Sequence, residues 1–112
     1  MPLRIEFYST ASDRSPVEDY IEQAERRRKE RARIVRTFET LQVLPQPPPS
    51  MFKKMKGSDL WEIKVGSHRF LGYRPTPDRL VLLHGFAKQS QKTPLHEIEV
   101  ALRRLGLHSA AS

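Results

Sequence analysis

The chain has 112 residues, a size that fits one domain able to bury a core without disulfide or metal staples. It contains no cysteine, which excludes disulfides and thiol chemistry, and no apolar run approaches the roughly 20 residues that span a bilayer. Lys and Arg number 20 against 13 Asp and Glu, a net charge of +7 that favours a polyanionic partner such as nucleic acid.

The N-terminus, Met1-Pro2-Leu3-Arg4-Ile5-Glu6, lacks the apolar core of a signal peptide, so a cytoplasmic protein is expected. Leu3, Ile5 and Phe7 alternate with Arg4, Glu6 and Tyr8, which predicts a half-buried strand. Ser15-Pro16-Val17-Glu18 has the capping-box pattern with proline at the first helical position. Val17, Tyr20, Ile21 and Ala24 follow at helical spacing, and the pattern returns with Ile34, Val35, Phe38 and Leu41. Between these stripes, Glu25 to Arg31 is wholly polar. Over Pro16–Val43, either one long helix crosses this solvated middle or two helices meet near Arg28; no Gly or Pro marks a turn there, so propensity alone favours one helix. Seven of the 11 residues from Arg26 to Arg36 are Arg or Lys. They read as a solvated helix face or as a basic stripe facing RNA phosphates.

Leu44-Pro45-Gln46-Pro47-Pro48-Pro49-Ser50 ends the helical region with a stiff connector. Trp61, Ile63 and Val65 alternate with Glu62 and Lys64, Arg69 to Tyr73 forms the next strand, and Leu80 to Ala87 the third. The short turns between them, Gly66-Ser67 and Pro75-Thr76-Pro77-Asp78, require antiparallel pairing. The nearly continuous apolar character of the third strand predicts an interior position. Thr93-Pro94 starts a last helix whose expected stripe is Leu95, Ile98, Leu102 and Leu105, with Gly106 as its C-cap. The fold class read from this order is α+β, with Trp61, Ile63, Val65, Phe38 and Leu102 buried.

Asp78 is the only acidic residue between Ile63 and His96, a window that holds Lys64, Arg69, Arg74, Arg79, Lys88 and Lys92. With Lys53, Lys54 and Lys56 added, the strand region is strongly basic, and aromatic residues are interleaved. That combination suits single-stranded RNA, whose bases stack while its phosphates are neutralised. Arg69, Leu71 and Tyr73 share one strand parity, and Lys88 shares another with His84 and Phe86. A sheet that joins these faces gives a patch of Arg69, Tyr73, Lys88 and His84. Cations there would stabilise a phosphorane, and a lysine of lowered pKa would serve as base. The four histidines lack metal-ligand spacing, so no metal site and no cofactor are expected.

Leu60-Trp61-Glu62-Ile63-Lys64, Arg69-Phe70-Leu71, Leu82-Leu83-His84-Gly85-Phe86-Ala87-Lys88 and Gln91-Lys92-Thr93-Pro94 together resemble the HigB-like, phage-associated branch of the RelE/ParE toxin superfamily. The resemblance implies a RelE-like βααβββα order, with a twisted antiparallel sheet, an N-terminal helical hairpin and a C-terminal helix. It therefore breaks the helical region near Arg28. The expected domain is a single toxin domain over residues 1–107, and the C-cap at Gly106 leaves 108–112 as a flexible tail. The resemblance also implies a toxin of a type II toxin–antitoxin pair: a metal-independent endoribonuclease that cuts mRNA on the ribosome and inhibits translation. The expected partner is a helix-turn-helix, HigA-like antitoxin. Arg69, Lys88 and Lys92 become the catalytic cations, assisted by Tyr73 or His84, and Lys53, Lys54, Lys56, Lys64 and Arg74 become RNA-binding residues. Family members often carry arginine where Lys64 stands and a second lysine where Gln89 stands. A ParE-like gyrase inhibitor and a non-catalytic basic RNA- or protein-binding module remain open beside this reading.

Overall fold

The computed structural model describes residues 3–23, 28–89 and 93–111. In chain order the elements are β1 (Arg4–Phe7), α1 (Pro16–Gln23), α2 (Arg28–Leu41), β2 (Phe52–Lys54), β3 (Trp61–Val65), β4 (His68–Tyr73), β5 (Arg79–Ala87) and α3 (Leu95–Ala111). The fold is α+β, with one five-stranded sheet in the order β1-β5-β4-β3-β2. The expected order lacked β2, a three-residue edge strand inside the lysine-rich segment that follows the prolines.

Strands β2 to β5 pair antiparallel, but β1 lies parallel to β5. The sheet is therefore mixed, not antiparallel throughout. No tight turn joins β1 to its partner, so the hairpin rule that governs β3 to β5 does not constrain it. The pairing is reinforced by Arg79, whose Nε and Nη2 donate to the Glu6 carboxylate at 2.7 and 3.0 Å.

The helical region is two helices packed on one patch. The Tyr20 ring of α1 lies 5.8 Å from the Phe70 ring, and the Phe38 ring of α2 lies 5.1 Å from it. One continuous helix would hold residues 20 and 38 about 27 Å apart. The hairpin expected near Arg28 is present, and the single helix expected from propensity is not. Ala24, expected on the α1 stripe, lies outside the described residues.

Helices cover both faces of the sheet. Val17, Ile21, Ile34, Phe38 and Leu41 of α1 and α2 pack with Ile63, Val65, Phe70, Leu80 and Leu82. On the opposite face, Ile98, Ala101 and Leu105 of α3 pack with Leu71, Val81, Leu83 and Phe86. The interior position of β5 explains its unbroken apolar run. A β-bulge interrupts its alternation: Leu71 pairs with His84 and Gly72 with Leu82, so Leu83 has no register partner on β4. Gly72 is required there, because a Cβ at that position would sit 2.5 Å from the Val81 carbonyl oxygen.

The α3 stripe differs from the expected one. Leu95 is 68% exposed and Leu102, expected to be buried, is 41% exposed, while Val100 and Ala101 are buried. Positions 98, 101 and 105 have the same helical periodicity as 95, 98, 102 and 105, so spacing alone does not choose between the faces. Trp61 is only partly buried, at the edge of the α1/α2 core. Gly106 does not end the helix, which continues to Ala111 through the stretch read as a frayed tail. A helical glycine costs about 1 kcal/mol. The last turn offsets this through His108, whose Nδ1 is 2.5 Å from the Tyr73 hydroxyl.

Candidate nucleic-acid site

Strand β3 sends Ile63 and Val65 into the α1/α2 core, which turns Glu62 and Lys64 toward the other face. There α3 packs over β4 and β5 and leaves the β2–β3 side open. The opening is a trough of about 430 Å³, lined by Lys53, Lys54, Lys56, Lys64 and Lys88, with Glu62, Thr93 and Ile98 completing its wall. Lys53 lies directly across from Glu62, and Lys64 directly across from Arg69. Removal from water holds the Lys64 amine below the ordinary lysine range, repulsion from Lys53 and Arg69 adds to this, and the Glu62 charge opposes it. The trough thus combines a cluster of ammonium groups with one amine displaced toward its neutral form.

The Gly66-Ser67 turn organises the neighbouring cations. Gly66 has φ +58°, a left-handed conformation that side chains disfavour, and the Arg33 guanidinium of α2 lies 2.8 Å from where a Cβ would stand. Arg69 Nη1 donates to the Gly66 carbonyl at 2.6 Å and to the His68 carbonyl at 2.9 Å. The Lys88 amide donates to the Ser67 carbonyl at 2.7 Å. Arg69 and Lys88 therefore flank one turn from adjacent strands, beside Lys64. The Arg69 Nε is buried without a partner among the described residues.

Of the other residues expected in this patch, Tyr73 stands apart and His84 shares its face but is engaged by α3. Tyr73 is four residues along β4 from Arg69, roughly 13 Å away, with its hydroxyl on His108. His84 is held under α3. Arg104 Nη1 donates to the Leu83 carbonyl at 2.8 Å and lies 3.1 Å from His84 Nδ1. Arginine only donates, so Nδ1 must accept and Nε2 carries the proton toward Glu97 Oε1, 3.1 Å away. That neutral tautomer agrees with burial lowering the His84 pKa against the pull of Glu97. Arg74 stacks on Trp61, its guanidinium carbon 4.7 Å from the ring centroid, and its Nη2 donates to the Pro77 carbonyl. Lys92 lies outside the described residues.

Two participants in the trough were not singled out from sequence. Glu62 is only 3% exposed and accepts from the Thr93 hydroxyl at 3.2 Å. The Trp-Glu-Ile-Lys-Val alternation places it on a polar face, and no sequence signal shows that the start of α3 closes over that face. Thr93 was read as a helix cap, but its hydroxyl ties the approach to α3 to the trough floor. On the opposite face, the Tyr20 hydroxyl lies 2.5 Å from Nδ1 of buried His68. Burial pushes the Tyr20 pKa up to about 12. Among the described residues no three His, Asp or Glu side chains are grouped to hold a metal, and no helix is long and apolar enough to cross a membrane.

A family model described as phage-derived protein Gp49-like matches residues 20–106. That span runs from α1 to α3 and contains the whole trough. No curated protein matches the chain.

Proposed function

We propose a function from one premise: this chain belongs to the family of phage-derived Gp49-like proteins. It acts as the toxin of a type II toxin–antitoxin pair, a HigB-like endoribonuclease that cleaves mRNA on the ribosome. The observation that carries the reading is the gathering of Lys53, Lys64 and Lys88 around one trough with Arg69 beside them. Such a site holds a phosphate and places beside it an amine whose pKa is lowered by loss of water and by neighbouring cations.

In this chain, which carries Lys64 where family members often carry arginine, the Lys64 amine takes the proton of the RNA 2′-hydroxyl when deprotonated, and the 2′-oxygen attacks the adjacent phosphorus. Arg69 and Lys88 stabilise the charge that develops on the phosphorane oxygens. Arg69 exchanges its two carbonyl acceptors for phosphate oxygens in doing so. The bond to the 5′-oxygen breaks, and that oxygen takes a proton from the Lys88 ammonium. The products are a 2′,3′-cyclic phosphate and a 5′-hydroxyl. A helix-turn-helix antitoxin neutralises the protein by covering this basic surface, and its association is fast and salt-sensitive.

The test compares wild type with Lys64→Met, Arg69→Ala and Lys88→Ala for cleavage on programmed ribosomes, with folding checked by thermal melts. Each variant is expected to lose ~100-fold or more in turnover, while ribosome binding falls far less. Full cleavage by the folded variants, or inhibition of gyrase supercoiling by wild type in place of cleavage, would overturn the assignment.

A further inference from the structure

A second cavity, of about 330 Å³, opens at the far end of β3, lined by Lys54, Asp59, Trp61, Tyr73, Arg74 and Leu105. Its volume is at the lower end of the range for small-ligand sites. Two aromatic rings wall it: Trp61, which is incompletely buried, and Tyr73, whose hydroxyl is fixed by His108. Phe52 stacks on the indole with ring centroids 4.9 Å apart and planes 25° from parallel, so the Trp61 ring is held rigidly. Arg74 lies over the indole, and Lys54 supplies a second cation. Asp59 adds one hydrogen-bond acceptor.

Lys54 lines both this cavity and the basic trough. Along β3, Trp61 is three residues from Lys64, a span of roughly 10 Å. Trp61 has the parity of Ile63 and faces away from Lys64, but the cavity opens at the end of the sheet, where Lys54 joins it to the trough. A single strand whose phosphate sits among Lys53, Lys64 and Lys88 reaches the Trp61 ring by passing Lys54 around that end.

We propose that the Trp61–Arg74 cavity is a nucleobase-stacking subsite for single-stranded RNA, separate from the place where the phosphate is cut. Aromatic rings beside cations match a base joined to an anionic backbone. This explains why Tyr73 and Arg74 stand apart from Arg69: they hold a neighbouring nucleotide. The inference rests on the RNA-cleaving reading for its ligand class, and its test does not depend on cleavage.

Trp61 is the only tryptophan of the chain, so its fluorescence reports this cavity directly. The full-length protein is titrated with a short oligoadenylate and with an abasic ribose-phosphate oligomer of equal length. Saturable quenching by oligoadenylate and little by the abasic oligomer is expected. Arg74→Ala and Tyr73→Leu should each weaken that binding by ~10-fold, the scale of one lost base stack. Lys54→Ala, on the cavity rim, gives a third variant that leaves the stacked rings in place. Lys64→Met should abolish cleavage while quenching persists, which separates the subsite from the catalytic reading. Equal quenching by both oligomers, no quenching by either, or quenching by polyglutamate in place of RNA would overturn the proposal.

Discussion

The two faces of the sheet share the same strands but not the same fate. On the α1/α2 side, Phe70 is fully buried beneath Tyr20 and Phe38, and two helices close the surface. On the α3 side a single helix packs against β4 and β5, and the β2–β3 side stays open with its lysines around a trough. One helix spans about 10 Å of a sheet whose strands lie about 4.8 Å apart, so it cannot cover five of them. The uncovered strip is where polar side chains escape burial, and there the cations gather. A three-layer fold with unequal outer layers thus separates a closed, apolar face from an open, basic one.

Breaking the closed face should have the largest effect. Phe70→Ala removes the ring on which both N-terminal helices rest. It should destabilise the protein by about 3–5 kcal/mol, read from urea unfolding. A loss below about 1 kcal/mol would mean that the two helices do not depend on this contact.

The open face should respond in activity and not in stability. Lys64→Arg keeps the charge but has no neutral form at working pH, so cleavage should fall ~100-fold with an unchanged melting temperature. In wild type the rate should rise with pH through a value below the ordinary lysine range, because only the neutral amine accepts a proton. A flat pH–rate profile would remove Lys64 from the role of base.

Between the faces, His84 couples α3 to β5. Its folded pKa lies below its ordinary 6.5, so the unfolded chain binds the proton first. The stabilisation it provides is present above that value and is lost as pH falls through the histidine range. Thermal melts should show wild type weakening on acidification there, and His84→Gln should flatten that dependence. An unchanged slope would show that the Arg104–His84–Glu97 chain does not anchor the helix.

The smallest effect belongs to the sheet edge. Arg79 holds the Glu6 carboxyl below its usual range, so their pairing stabilises the protein above the unfolded carboxylate pKa and fades as acid protonates Glu6. Glu6→Gln should cost about 0.5–1 kcal/mol at neutral pH and less in acid, as expected for a partly exposed bidentate pair. A cost that does not vary with pH would place the effect in packing.

Four of the five strands, the capped start of α1, the basic character of the β2–β5 region and the interior place of β5 were legible in the sequence, and the short edge strand β2 was not. They follow from local periodicity, turn residues and composition, which act over a few neighbours. The cluster of Lys53, Lys64 and Lys88 was legible only as a charge excess, because strand parity says which face a side chain takes and not what covers that face. The Leu83 bulge changes parity within β5, so Val81 and His84 share the α3 face, while Tyr73 stays remote from Arg69 because four residues of β4 separate them. The parallel pairing of β1, the outward turn of Leu102 and the passage of α3 through Gly106 were decided the same way. Each depends on groups distant in the chain: the Glu6–Arg79 pair, the Leu71–Leu83 surface and the Tyr73–His108 contact. Local pattern determines which elements can form, and only long-range contact energy selects the face, direction and length that the protein adopts.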